Sequence, residues 1–266
     1  AVISPTTGHI FTHETGAVEA TGHKIITIPT EDGKLTVSHV ETLLLEHTDH
    51  HMVSPKMVYI SNPTEIGTVY TKDELTALHD FCCAQDLIFY IDGARLASAL
   101  ALKEPNVTLK DLPLLCDAFY IGGTKCGALF GEALVIVNKT LAKNFNFSLK
   151  QRGGLFAKGR ILGIQFKTLF KNNLYLELGA HANHLADRLR GIFEEAGFTF
   201  LIDSPTNQLF PILPNTLIDA LRKDFVFRDW SICDKEHTVV RFVTSWAMTD
   251  EMIDTFSKRL KQLLDQ

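Results

Sequence analysis

LIFYIDGAR, residues 87–95, decides the fold: an apolar, β-rich run that stops at Asp92 and gives way to Gly93, Ala94 and Arg95. A run apolar at nearly every position suits a strand covered on both faces, as in a parallel sheet. MVYIS (57–61), AFYIG (118–122) and ALVIVN (133–138) have the same character. Helical stretches lie between them. Ser38 with Glu41 predicts a capping box ahead of VETLLLEH, and Thr71 with Glu74 predicts another ahead of ELTALHDFCCAQ. Strand, helix and strand in this order imply right-handed crossovers and an α/β fold, a three-layer, mainly parallel sheet.

Downstream the pattern changes. From about Gly159 to Gly197 apolar residues recur at helical spacing, which predicts a long connecting helix. FTFLI (198–202) and TVVRFVTS (238–245) read as strands, and DEMIDTFSKRLKQLL (250–264) reads as a helix. This predicts a large domain over 1–165, and a connecting helix with a smaller C-terminal α+β domain over 166–266. No internal repeat is seen.

The formal charge of −5 and the absence of any Lys/Arg run longer than two residues argue against a nucleic-acid or membrane-surface partner. No stretch of about 18 apolar residues is present, and AVISPTTGHIF lacks the pattern of a secretion signal. The five cysteines, Cys82, Cys83, Cys116, Cys126 and Cys233, form no C-x-x-C pair. A disulfide framework or metal site is not expected, and the cytoplasm is the expected compartment.

Ligands of open α/β sheets gather beyond the carboxyl ends of the strands. One such end presents Asp92 and Arg95, and another presents Lys125 within GGTKCGALFG (122–131). Either motif alone has a bland reading: a lysine in a surface turn, or an aspartate capping a strand. Together they suit pyridoxal phosphate. The amine attaches the cofactor and moves protons, and the carboxylate keeps the pyridine nitrogen charged. Small residues around the lysine are expected to let the backbone approach a flat ring. No G-x-G-x-x-G follows the first strand, which excludes a Rossmann nucleotide site.

GHIFTHETGA (8–17), YISNPTEIGTVY (59–70), YIDGARL (90–96), GGTKCG (122–127) and VVRFVTSW (239–246) give the chain a family resemblance. It resembles the low-specificity threonine aldolases, in the β-eliminating-lyase branch of pyridoxal-phosphate enzymes with the aspartate-aminotransferase type fold. The resemblance implies cleavage of L-threonine or L-allo-threonine to glycine and acetaldehyde. The alternatives are another amino-acid lyase or transaminase on the same cofactor, or a truncated non-catalytic relative. By the same resemblance, Lys125 is the Schiff-base lysine and Asp92 pairs with the pyridinium. His9 stacks on the ring, Thr124 joins the cofactor site, Arg241 clamps the substrate carboxylate, and Arg95 helps with that carboxylate or with the cofactor's phenolic oxygen. Glu14, Asn62 and Gly67 shape the pocket. Arg152 and Lys158 reach a phosphate, here or in a neighbouring subunit of a homodimer or homotetramer. Cys126 reads only as a small packing residue.

Two departures accompany the resemblance. Family members carry a Ser-Gly-Thr type phosphate loop before the segment matching GHIF, and residues 1–7 hold none. Many of the aldolases also have a histidine in the segment matching SNPTEIG, where this chain has Thr64 and Glu65. His9, His13, Glu65 or a water must then take the proton of the substrate hydroxyl. Arg241, in a strand-like run, needs either a bound carboxylate or an internal Asp or Glu as its partner.

Overall fold

In a computed structural model of the chain, which describes residues 1–102 and 107–265, the four apolar runs lie in one sheet. Among the described residues this sheet has six strands. They are β1 (Val2–Pro5), β2 (Ile25–Ile28), β3 (Met57–Ser61), β4 (Ile88–Asp92), β5 (Ala118–Gly122) and β6 (Glu132–Ile136). Their spatial order is β2-β1-β3-β4-β5-β6, all parallel except β6, which runs antiparallel to β5. Val58, Ile60, Phe89 and Ile91 are fully buried in the central strands, and Phe119 and Ile121 nearly so. Each such side chain contributes on the order of 1.5–3 kcal/mol to holding the layers together.

The sequence reading needs correction at several points. β1 and β2 escaped it, because VISP and IITI are only four residues each. β1 nonetheless lies inside the sheet, between β2 and β3. The run ALVIVN is not a doubly buried strand: β6 is a half-exposed edge with only β5 as neighbour. The first predicted capping box also moves. The helix begins at Val37, so Thr36 is the cap and accepts from His39 N at 3.2 Å, while His39 Nδ1 accepts from Thr36 N. The Thr71–Glu74 box forms as predicted.

The long connecting helix is two helices, Arg160–Leu169 and Leu174–Glu195. Asn172 and Asn173 break it with φ of 54° and 59°, a left-handed conformation that Asn tolerates better than most residues. FTFLI forms no strand; Phe200 makes a single bridge to Pro211. The downstream sheet is built on β10 (His237–Val243), which pairs antiparallel with β7 (Gln208–Leu209), β8 (Ile212–Pro214) and β9 (Arg228–Ile232). Helix Asp250–Leu264 buries Ile253, Phe256 and Leu260 against Phe193, Leu213 and Val240 in a second apolar core.

Candidate active site

The parallel pairing of β3 with β4 sets Ser61 opposite Asp92, so both strands finish at the same level. β5 ends beside them. Gly122 N donates to Gly93 O at 2.9 Å, and a Cβ at Gly93 would stand 2.0 Å from Tyr120 O. A Cβ at Gly122 would stand 2.4 Å from Ala94 O. These glycines therefore join one strand end to the other.

The result is a cavity of about 220 Å³ whose walls include His9, Glu65, Asp92, Arg95, Lys125 and Glu132. Asp92 Oδ1 accepts from Ala94 N at 2.8 Å, and Oδ2 accepts from the Tyr59 hydroxyl. A carboxylate offers about four acceptor positions, so Asp92 can take a further donor. Burial, and then the Asp92 charge, push the phenols of Tyr59 and Tyr120 far above their ordinary range, so both stay neutral donors.

Lys125 stands in the loop after β5, which folds back tightly: Cys126 N and Ala128 N both donate to Gly123 O. Lys125 keeps solvent-exposed surface at the cavity. Burial of its amine, and then the charge of Arg95, lower its proton affinity below that of an ordinary lysine. Such an amine is easier to bring into its nucleophilic, uncharged form. Glu132 accepts from Gly123 N and ties this loop to the edge strand. Cys126 is buried with its thiol pushed up by burial, as a packing residue should be.

His9 opens the one-turn helix His9–Thr12 that follows β1. Its Nδ1 lies 2.6 Å from Glu14 Oε1, which fixes the ring, and its backbone N donates to Glu65 Oε1 at 2.9 Å. Ser61 Oγ donates to the same oxygen at 2.6 Å. Among the described residues Glu65 Oε2 is buried and has no hydrogen-bond partner.

Not every predicted site residue lines this cavity. Arg241 lines an adjoining one of about 320 Å³ with His13, Arg228, Trp230 and Thr7. It pairs in register with Arg228 across β10 and β9, and its guanidinium lies over the Trp230 ring at 5.7 Å. Burial, then the charges of Arg95 and Arg228, bring Arg241 down to about 10. Among the described residues neither Arg95 nor Arg241 has an ion-pair partner, so the internal Asp or Glu allowed for Arg241 is not there. Thr124 sits beside Lys125 but outside the lining, its hydroxyl 3.5 Å from Gly131 O. Asn62 and Gly67 also lie outside it: Asn62 Oδ1 accepts from Tyr70 N, and Gly67 O accepts from Ser204 Oγ. Arg152 and Lys158 are exposed.

Tyr59, Ser61, Tyr120 and Glu132 belong to the site but were not predicted. Tyr59 and Ser61 alternate onto one face of β3, which is the pattern that could have found them. Glu132 is set by its register opposite Gly122, which needs the antiparallel edge pairing to be known.

Two guanidinium groups without an ion-pair partner among the described residues, the Asp92 and Glu65 carboxyls and the Lys125 amine of lowered proton affinity converge on these cavities. They fit an anionic, flat heterocycle carrying a ring nitrogen, with an amino-acid carboxylate beside it. Comparison with known proteins agrees. A sequence model of the beta-eliminating lyases matches residues 1–213. The low specificity L-threonine aldolases of Pseudomonas sp. (strain NCIMB 10558) and Pseudomonas aeruginosa are each 31% identical, over 99% of this chain and 74% of theirs. The threonine aldolase of Leishmania major superposes with a TM-score of 0.96 at 49% identity, over 99% of this chain and 77% of that one. A Listeria monocytogenes protein of 16% identity superposes at 0.76, which speaks for the fold alone.

Proposed function

Because the chain belongs to the beta-eliminating lyase family, we propose that it is a pyridoxal-phosphate-dependent lyase that cleaves L-threonine and L-allo-threonine to glycine and acetaldehyde. One observation carries this reading: Lys125, Asp92, His9 and Arg95 line one cavity at the ends of adjacent parallel strands. The threonine aldolases to which the chain is similar supply the substrate class.

When bound, the cofactor supplies an electron sink for the pair left on the substrate α-carbon. The residues do the rest. Lys125 would hold the cofactor through its amine, and the same amine would return a proton to the substrate α-carbon. Asp92, oriented by Tyr59 and Ala94 N, would keep positive charge on the ring nitrogen. His9, braced by Glu14, would cover the ring face. Arg95 and Arg241 hold the substrate carboxylate, which sets the angle of the breaking bond.

A homo-oligomer is part of the proposal. Leu129, Phe147, Phe156, Ile161 and Ile164 are large apolar side chains left exposed around the lysine loop and the segment after it. Such a patch suits a second copy of this chain, with Arg152 and Lys158 on the same stretch. The five free cysteines suit a reducing cytoplasm. Among the described residues no helix is long and apolar enough to cross a membrane.

The test is product analysis of the purified, cofactor-loaded protein. Equal amounts of glycine and acetaldehyde from L-threonine are expected. Ammonia and a 2-oxo acid instead would make the enzyme an eliminating or transaminating relative.

A further inference from the structure

Glu65 lines the cavity, and among the described residues one of its carboxyl oxygens is engaged and the other is not. Oε1 takes both donors that reach it, His9 N and Ser61 Oγ. Oε2 is buried and has no partner among the described residues, in a residue only 9% exposed. Leaving a buried oxygen unsatisfied costs about 1–3 kcal/mol, so a ligand hydroxyl that pairs with it recovers that cost on binding. The other carboxyls and the histidine of the cavity each already have a partner. His9 Nδ1 is held by Glu14, both Asp92 oxygens have donors, and Glu132 holds the lysine loop. His13, the other histidine close by, lines the adjoining cavity with its Nδ1 against Thr12 O.

We infer that Glu65 recognises the hydroxyl on the β-carbon of the substrate through Oε2 and takes its proton as the carbon–carbon bond opens. The inference rests on the proposed reading of the site. The substrate O–H bond breaks and its proton passes to Oε2. The pair from that bond forms the aldehyde C=O. The Cα–Cβ bond opens, and its electron pair stays with Cα, where pyridoxal phosphate accepts it. When Cα is reprotonated by Lys125 and the aldehyde leaves, Glu65 returns its proton to solvent. Burial also biases this carboxyl toward its protonated form, reinforced by the negative charge of Asp92. A carboxyl whose proton affinity is raised is a stronger base than an ordinary one.

Two variants of the cofactor-loaded enzyme test this. Glu65→Gln keeps an acceptor for His9 and Ser61 but cannot take a proton. It is expected to lower kcat for L-threonine on the order of 100-fold, while exchange of the glycine α-proton with deuterated solvent stays within about threefold of wild type. Glu65→Ala is expected to erase the preference for L-serine over L-alanine in equilibrium titrations of the visible cofactor band, a preference of at least about tenfold in wild type. Should the Ala variant fail to fold, the split between cleavage and exchange in the Gln variant decides alone. Full cleavage by Glu65→Gln overturns the inference. So does equal loss of cleavage and exchange, or a band shifted by Glu65→Ala before any amino acid is added, which would make the cofactor's own hydroxyl the partner. A wild-type protein without a cofactor band would remove the parent reading first, and the inference with it.

Discussion

Tyr59 reaches across the β3–β4 pairing to donate its hydroxyl hydrogen to Asp92 Oδ2, inside a site where the tyrosine is 4% exposed. No water can replace that donor without a cavity. Tyr59→Phe therefore strips a buried carboxylate oxygen of its partner, at a cost of about 1.5–3 kcal/mol for a hydrogen bond to a charged group. Urea unfolding of the cofactor-free protein measures it. A midpoint unchanged from wild type would mean that the phenol does not hold Asp92.

Lys125 binds its proton more weakly in the folded chain than in the unfolded one, because of burial and then the charge of Arg95. Its unfavourable contribution is complete below the folded value. It fades as pH rises through the folded value toward the unfolded value of about 10.4. Lys125→Met removes the effect. The cofactor-free wild type should therefore gain stability relative to this variant as pH rises toward about 10.4. Unfolding midpoints that run parallel over that range would contradict it. In the loaded protein, borohydride reduction should fix the cofactor on the peptide containing Lys125, and Lys125→Ala should lose both the label and the visible band.

The central strands were legible in the sequence because β3, β4 and β5 are apolar at nearly every position, a signal that needs no partner to be read. DGAR and GGTK stood at their ends, so the amine and carboxylate could be placed near each other before any coordinates. What stayed hidden depends on pairing. β1 and β2 are recognisable only because the sheet closes around them. Tyr59 and Glu132 enter the site through register, and Gly93 and Gly122 turned out to pack on each other's loops. Arg241 was found, but not that Arg228 would stand opposite it, since the strand holding Arg228 was itself unread.

Arg228 and Arg241 face each other across β9 and β10 with no carboxylate between them among the described residues. Like charges in direct register are destabilising, and an amino-acid carboxylate relieves them on binding. Arg241→Ala should therefore weaken binding of glycine on the order of 10- to 100-fold, with the cofactor band intact. Titration of that band with glycine reads both quantities at once. Unchanged glycine affinity would leave Arg241 as a strand residue stacked on Trp230 and nothing more.

Glu65 has the opposite linkage from Lys125. Burial holds its carboxyl above the ordinary value, opposed by the bonds from Ser61, its own backbone N–H and His9 N and reinforced by the Asp92 charge, with Arg95 the nearby positive charge. Its folded form therefore binds a proton more tightly than its unfolded form. That contribution is complete below the unfolded value of about 4.3 and is lost as pH rises through the folded one. Glu65→Gln is uncharged at every pH. In the cofactor-free protein it should be more stable than wild type near pH 7, and the advantage should vanish toward about pH 4. A stability difference that does not change with pH would mean Glu65 is not a strained carboxyl. If the advantage appears in a variant that has lost threonine cleavage, the charge at this position is kept at a cost in stability because the reaction needs a proton acceptor there.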